Sequence, residues 1–219
     1  MKKINLLKTF PEIFRNVDSR KKSKKKNRNL ALKFSKDYFD GSRNSGYGGY
    51  YYDGRWINVA KSIIKIYKLK KNSKVLDVGC AKGFLMYDLL KVSKNKIKVY
   101  GVDISSYAKS KAMPIIRKKI KICNCKKLPF KDNFFDFVIS INTLHNLKKA
   151  DCIKTIKEIS RVSKGKSFIQ VDSYTNEKEY KKFLDWMLTA KTFLTPQKWK
   201  ELFKITGYKG DYYWTILKR

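Results

Sequence analysis

The chain has 219 residues, of which 42% are hydrophobic, and its formal net charge at pH 7 is +34. This length and apolar content fit one globular domain with a sizeable core. No apolar run approaches the ~20 residues that span a bilayer, and the apolar stretch 4–7 is too short for a signal peptide. A cytoplasmic protein without membrane contacts is therefore the default expectation.

The excess of basic residues raises the question of a nucleic-acid partner. Lysine supplies 44 of the 52 basic residues, and these are spread along the whole chain. A lysine-rich composition is typical of AT-rich coding sequence, whereas arginine is the better residue for bidentate phosphate recognition. A nucleic-acid partner therefore remains only an alternative.

The N-terminal 54 residues are predicted to form a basic extension and a loop, ahead of a domain over 55–219. Seven of the nine residues in 20–28 are basic, a pattern usually solvated or disordered; an arm for nucleic acid or an anionic surface is the alternative. Segment 37–56 is rich in glycine and tyrosine and lacks helical or strand periodicity. We expect it to cover the site and help build the substrate pocket, or alternatively only to seal the sheet edge.

The most informative segment is 75–85, where a short apolar strand runs into a turn of small residues followed by a helix. Small residues let a ligand approach the backbone. A second strand over 97–102 ends at Asp103, whose carboxylate is placed to accept hydrogen bonds from a ribose diol. Together these features predict a site for an adenosine-containing cofactor.

The spacing within the turn distinguishes between adenosine cofactors. The turn reads Gly79-x-Ala81-x-Gly83 after Asp77, without the third glycine of dinucleotide sites. An acidic residue before the turn would repel a pyrophosphate but pair with an ammonium. The segment resembles the first motif, D/E-x-G-x-G-x-G, of class I S-adenosylmethionine-dependent methyltransferases, with Ala81 replacing the middle glycine; a Rossmann-like turn without a cofactor is the alternative.

A further motif strengthens the resemblance. Segment 123–140 is similar to the family's G-D-A-x-x-L-P-F-x-D-x-S-F-D-x-V-x-S stretch. In that family the acidic residue and the next backbone amide hold the adenine, and the end of strand four faces the reactive methyl group. The resemblance implies a cofactor shell of Asp77, Gly79, Cys80, Ala81, Gly83, Asp103, Ile104, Asn124, Cys125 and Asn142.

Candidate catalytic and substrate-binding residues come from two places. His145 is the chain's one histidine and so a candidate general base or substrate contact, or alternatively a helix cap. Tyr50, Tyr52 and Arg55 are candidates to clamp a carboxylate or phosphate on the substrate, with Tyr50 and Tyr52 as further catalytic candidates and Tyr47 beside them. Arg55 alternatively binds the carboxylate of the cofactor.

The remaining periodicities complete the fold prediction. Helices are expected after Trp56, Ser105, Asn176 and Thr195 and over 147–159, and strands over 135–141, 167–171 and 212–217. Strands alternating with helices predict an α/β, Rossmann-like, doubly wound and mostly parallel sheet. The family has seven strands, with the last one antiparallel; the missing late strand is expected near Tyr174 or Phe193.

The functional prediction is a methyltransferase acting with S-adenosylmethionine on an O or N atom of a small charged metabolite or sugar precursor. It looks most like small bacterial methyltransferases that carry a Y-G-G-Y-x-Y-D-G-R-W segment. An RNA methyltransferase is the first alternative, although the [D/N/S]-P-P-[Y/F/W] motif and a Pro-Cys pair are missing, and a non-catalytic cofactor-binding subunit is the second. The four cysteines lack C-x-x-C spacing. No metal site is therefore expected, and the cysteines are expected to be reduced and mostly buried.

Overall fold

A six-stranded parallel sheet forms the centre of the computed structural model, which describes residues 1–11 and 16–217. Its strands lie in the order β3-β2-β1-β4-β5-β6. They are β1 (Lys74–Val78), β2 (Lys98–Asp103), β3 (Ile120–Ile122), β4 (Phe137–Ile141), β5 (Ser167–Ser173) and β6 (Asp211–Ile216). The central strands are almost entirely buried, because helices cover both faces of the sheet.

The helices that surround the sheet connect successive strands or precede the first one. They are α1 (Val17–Lys21), α2 (Lys24–Ala31), α3 (Lys36–Phe39), α4 (Ile57–Ile66), α5 (Phe84–Val92), α6 (Ser106–Ser110), α7 (Pro114–Arg117), α8 (Lys149–Val162), α9 (Glu177–Trp186) and α10 (Pro196–Ile205). A short 3₁₀ helix spans Leu144–Asn146. None of the helices in the described part of the chain is long and apolar enough to cross a bilayer.

The alternation of side chains along each strand divides the core into two layers. Val75 packs with α4 and α5 on one face, whereas Leu76 packs with α8 and α10 on the other. The same alternation holds in β4, where Phe137 and Val138 belong to opposite layers. This is the period of two that a strand imposes, and it confirms the doubly wound α/β fold.

The sequence correctly predicted where three of the helices begin. The side chains of Ser105, Asn176 and Thr195 each accept a hydrogen bond from the backbone N–H three residues later. Such caps satisfy donors that the first turn of a helix leaves unpaired. After α10, Gly207 adopts a φ of +65°, the conformation that ends a helix.

The sheet differs from the expected seven strands. Six strands are found in the described residues and all are parallel, including β6 beside β5; Tyr174 and Phe193 lie outside any strand. The outer edge of β6 is occupied by the N-terminus, where Lys3 makes a single parallel bridge to Tyr212. The N–H of Ile4 donates to the carbonyl of Tyr212 at 3.0 Å, so this segment takes an edge position that a further strand would need.

The basic tract 20–28 is ordered, since it falls within or between α1 and α2, but Lys21, Lys22, Lys25 and Lys26 are exposed as expected of a solvated tract. Arg20, Lys24 and Arg28 recur every four residues and donate to carbonyls of segment 185–190. Cations are favourable at a helix C-terminus, where carbonyls lack partners within the helix. Arg20 and Lys24 therefore cap the end of α9, whereas Arg28 binds the segment that follows it. Burial lowers the pKa of Lys24 to about 8.

Candidate functional site

A cavity of about 350 Å³ opens at the carboxyl ends of β1, β2 and β4. This is the place where an open parallel sheet reverses its strand order and binds ligands. The cavity walls come from the turns that follow these strands, from the N-terminal extension and from the segment between α9 and α10. The lining residues include Phe34, Tyr38, Phe39, Tyr47, Gly79, Ala81, Asp103, Ile104, Cys123, Asn124, Cys125, Asn142, Thr143, Asn146, Lys148 and Lys191.

The turn after β1 needs unusual backbone conformations. Gly79 has a φ of +84°, and a Cβ atom at this position would lie 2.0 Å from the hydroxyl of Thr143. Ala81 also lies in the left-handed region, with a φ of +50°, where a side chain is less favourable than in glycine. The alanine therefore keeps the backbone conformation expected of the glycine that it replaces, and both residues line the cavity.

Asp103 is held in place by this turn. Its Oδ2 accepts from the N–H of Ala81 at 2.7 Å, and its Oδ1 accepts from the N–H of Ser105 at 2.8 Å. Burial raises the pKa of the carboxyl, although these backbone hydrogen bonds act in the opposite direction. Each carboxylate oxygen has a second lone-pair direction, so the group can accept two further hydrogen bonds from a diol.

Asp77 is a buried carboxylate, with only 6% of its surface exposed. Burial, followed by the charge of Asp103, raises its pKa to about 7. It does not line the cavity itself but precedes the lining Gly79 by two residues, and no residue in the described ranges pairs with its carboxylate. A buried carboxylate without a partner is costly, and an ammonium group on a ligand would relieve that cost.

The wall beyond β2 and β3 combines apolar and polar groups. Ile104 lines the cavity and is 57% exposed, which leaves an apolar surface for a flat ring. Asn124 also lines it, but its Oδ1 accepts from the N–H of Lys126 at 3.1 Å. Burial raises the pKa of the Cys123 and Cys125 thiols, so both remain neutral at pH 7.

The segment after β4 supplies amide groups. Asn142 lines the cavity with a φ of +53°. The side chain of Asn146 donates to the carbonyl of Asn142 at 3.0 Å and accepts from the hydroxyl of Thr189 at 2.8 Å. These bonds join the β4 turn to the segment between α9 and α10.

The placement of His145 does not support a role as general base. The residue is 1% exposed and is absent from the cavity wall. Its Nδ1 accepts from the N–H of Asp172 at 3.1 Å, which uses the nitrogen that a base would need. Burial lowers the pKa of the imidazole, against an opposing effect of the Asp172 carboxylate. His145 instead anchors the backbone, since its carbonyl accepts from Lys191 and Thr192.

The candidates in the N-terminal extension separate into two groups. Tyr47 lines the cavity, whereas Tyr50, Tyr52 and Arg55 do not. Tyr52 donates to Asp88 at 2.6 Å, and burial together with this bond raises its pKa well above the usual range. Burial likewise raises the pKa of Tyr50.

Three members of the predicted set, Arg55, Cys80 and Gly83, lie away from the cavity wall for different reasons. Arg55 forms a salt bridge with Asp53 at 2.6 Å. Cys80 and Gly83 belong to the motif turn without lining the cavity, and burial raises the pKa of the Cys80 thiol. Cys80 and Gly83 therefore contribute to the site by shaping the turn.

One contact that fixes the extension was not predicted. Lys82, inside the motif turn, donates to both oxygens of Asp40 at 2.6 and 2.7 Å and to the carbonyl of Tyr50. Tyr107 on α6 also donates to Asp40, at 2.8 Å. Lys82 occupies a variable position of the motif. The one feature of the sequence that could have indicated this contact was a charged side chain between small residues. Tyr38, Lys148 and Lys191 in the cavity wall were missed as well, because their positions depend on the tertiary fold.

A parallel sheet with a left-handed turn of small residues after β1 and a carboxylate at the end of β2 is the arrangement typical of α/β proteins that bind nucleotide cofactors. The chain belongs to the family described as Methyltransferase domain, whose model matches residues 69–208. Membership confirms the class I methyltransferase prediction and implies S-adenosylmethionine as methyl donor. The likeness of the N-terminal Y-G-G-Y-x-Y-D-G-R-W segment remains a prediction.

Curated relatives are similar over parts of the chain. An uncharacterized protein of Methanocaldococcus jannaschii is 32% identical over 164 residues, covering 68% of this chain and 61% of that protein. A demethylmenaquinone methyltransferase of Bacillus cereus is 33% identical and covers 48% and 46%, respectively. The sterol 4-C-methyltransferase strm-1 of Caenorhabditis elegans is 35% identical and covers 48% and 32%. The match thus spans less than two thirds of each of these relatives.

Solved structures support the fold. The YcgJ protein of Bacillus subtilis superimposes with a TM-score of 0.56 at 17% identity, covering 67% of this chain and 66% of that chain. A chain of the complex between the Haloferax volcanii Trm112 methyltransferase activator and a methyltransferase superimposes with a TM-score of 0.57 at 17% identity, covering 90% of this chain and 77% of that chain.

Within the described residues, no group of three His, Cys, Asp or Glu side chains is arranged to hold a metal ion.

Proposed function

We propose that the protein transfers a methyl group from S-adenosylmethionine to an O or N atom of a small, charged metabolite or sugar precursor. The observation that carries this proposal is the Asp103 carboxylate, fixed by the N–H groups of Ala81 and Ser105 at a cavity between strand ends. A carboxylate in this place suits a ribose diol, and the unpaired Asp77 suits the ammonium of the same cofactor.

The residues present fit this cofactor. Asp103 would hold the ribose and Asp77 the amino group, while Ile104, Asn124 and Cys125 would surround the adenine and Asn142 would contact the methionine end. When bound, the cofactor supplies an activated methyl group. The chain is then required mainly to position the acceptor and exclude water.

The cover over the cavity favours a small acceptor over a polymer. Tyr38, Phe39 and Tyr47 from the extension line one side of the cavity, and the Lys82–Asp40 ion pair holds their segment against the motif turn. Two of the relatives above are named after small molecules, demethylmenaquinone and a sterol. The motive for an RNA substrate is reduced, because three of the seven basic residues of tract 20–28, Arg20, Lys24 and Arg28, donate to carbonyls within the fold.

Calorimetric titration with S-adenosylhomocysteine, the demethylated product of the cofactor, tests the site. We expect binding by the intact protein and a loss of at least about tenfold, or ~1.4 kcal/mol, in Asp103→Ala. Affinity falls because the variant removes the carboxylate that would accept hydrogen bonds from the ribose. The same carboxylate also accepts from the N–H groups of Ala81 and Ser105. Asp132→Ala serves as the control, since Asp132 is an exposed acid on another loop.

Equal affinities of the Asp103→Ala variant and the parent would contradict the ribose assignment. Binding of the cofactor without methyl transfer to any component of a host metabolite extract, followed with methyl-labelled S-adenosylmethionine, would favour the non-catalytic subunit. Label appearing in RNA instead would favour the RNA methyltransferase.

A further inference from the structure

The part of the cavity wall that comes from the N-terminal extension is aromatic. Phe34, Tyr38, Phe39 and Tyr47 line it. The rings of Phe39 and Tyr47 stack with centroids 5.8 Å apart and an interplanar angle of 9°, and Tyr38 packs edge-on against Tyr47 at 5.2 Å. Rings that support one another form a wall that is largely fixed before a ligand arrives. A wall of this kind complements a flat ligand body.

The charges at the cavity are unbalanced. Lys126 pairs with Asp151 at 3.5 Å, and Asp103 accepts from backbone N–H groups. Lys148 and Lys191 also line the cavity and are exposed, yet neither forms a salt bridge with any residue in the described ranges. Two ammonium groups without a carboxylate partner favour an anion at this part of the cavity.

The backbone holds these two lysines on neighbouring segments. The N–H of Lys191 donates to the carbonyl of His145 at 2.9 Å. The hydroxyl of the next residue, Thr192, donates to the carbonyl of Leu147 at 2.6 Å, and Leu147 directly precedes Lys148. The buried β4 turn thus fixes where both lysine side chains begin, so their position at the cavity follows from the fold.

We propose that the methyl acceptor has a planar, ring-containing body that carries a carboxylate or phosphate group, and that Lys191 is the residue that selects for this anion. The aromatic wall packs against the ring, while Lys191, assisted by Lys148, pairs with the anionic group. This inference rests on the proposed methyltransferase function and adds the chemical class of its acceptor.

The test compares matched pairs of small probes on the full chain saturated with S-adenosylhomocysteine. Benzoate is compared with benzamide, and phenyl phosphate with benzyl alcohol, by saturation-transfer NMR titration to about 10 mM. We expect at least one anionic probe to bind about tenfold more tightly than its neutral partner, the difference typical of one charge-assisted contact. Lys191→Met removes this preference, and Lys191→Arg retains it.

The control is Lys198→Met, which removes an exposed lysine on α10 outside the cavity wall; its preference for anionic probes stays as in the parent. Equal binding of anionic and neutral probes, no binding of any probe, or an unchanged preference in Lys191→Met would each overturn this inference. Failure of S-adenosylhomocysteine to bind would instead contradict the proposed function itself. A tighter response to phenyl phosphate than to benzoate would identify the anion as a phosphate.

Discussion

At the scale of single residues, the two acids of the motif have different environments that match different roles. Asp103 faces the cavity and accepts from two backbone N–H groups. Asp77 lies deeper without a partner in the described ranges, and its pKa rises to about 7 because burial and the charge of Asp103 disfavour ionisation. A cationic ligand group near Asp77 would favour its charged form, so cofactor binding is expected to release a proton near neutral pH.

His145 gives a prediction about pH. Burial lowers its pKa below 6.5 in the folded state, so between that lowered value and 6.5 the unfolded chain binds a proton that the native state does not. Stability is therefore lost as the pH falls below about 6.5. In His145→Asn, whose Oδ1 can replace Nδ1 as acceptor for Asp172, we expect this loss to disappear.

The measurement is the Tm of both proteins between pH 5.0 and 7.5. The Tm of the variant minus that of the parent should increase as the pH falls, and titrating groups that do not contact His145, such as Asp77, cancel in this difference. Because the chain contains one histidine, no other imidazole contributes. A constant difference, or one that decreases towards acid pH, would contradict the buried neutral imidazole.

At the scale of elements, the sequence predicted what local patterns determine. The strands β1, β2, β4 and β5 and the caps at Ser105, Asn176 and Thr195 follow from apolar runs and from side chains that satisfy a helix start. The edge of the sheet was not predictable in this way. Whether the N-terminus or another strand lies beside β6 depends on contacts between residues about 209 positions apart, such as Lys2 and Asp211.

The candidate site shows the same division between local and long-range information. Glycine and acid positions in the motif turn could be assigned because backbone conformation and chemistry restrict them to few residue types. Tyr38 and Lys191 could not be assigned, since only folding of the extension and of the α9–α10 segment brings them to the cavity. In the tract 20–28, composition could not show which cations remain in solvent, such as Lys21, and which bind carbonyls of segment 185–190, such as Arg20.

The ion pair between Lys82 and Asp40 gives a prediction at the element scale. The Lys82 side chain is 7% exposed. Burial acts to raise the pKa of Asp40, but hydrogen bonds from Lys82 and Tyr107 hold that pKa below its usual value. Removal of one partner leaves the other charge poorly solvated, so Lys82→Met should lower the free energy of unfolding by about 3 kcal/mol. Urea denaturation measures this change.

Adding Asp40→Asn to Lys82→Met should recover part of the loss, because the unpaired charge is then removed. The control is Lys181→Met, which breaks an exposed pair with Glu177 and should change stability by less than about 0.5 kcal/mol. If Lys82→Met behaves like this control, the pair does not fasten the extension to the motif turn.

At the scale of the whole molecule, the charge imbalance affects stability more than it defines function. The charges of 18 acidic groups offset those of 18 of the 52 basic groups, which leaves the net charge of +34. The folded state brings these like charges closer together than the unfolded chain does, and self-repulsion therefore destabilises it. Internal use of Arg20, Lys24 and Arg28 as carbonyl donors reduces their exposure but leaves their charge in place.

Salt should therefore stabilise this protein. Raising the ionic strength from about 0.01 to 0.1 M shortens the screening length from about 30 to 10 Å, which weakens repulsion between separated lysines more than attraction between groups in contact. We expect the Tm at pH 7 to rise by several degrees over this range, and to rise equally in sodium chloride and potassium acetate at matched ionic strength. A rise of the Tm in only one of these salts would indicate binding of a specific ion. A constant or falling Tm would contradict the prediction, because it would show that attraction within close ion pairs, such as Lys82–Asp40, outweighs the repulsion between lysines across the surface.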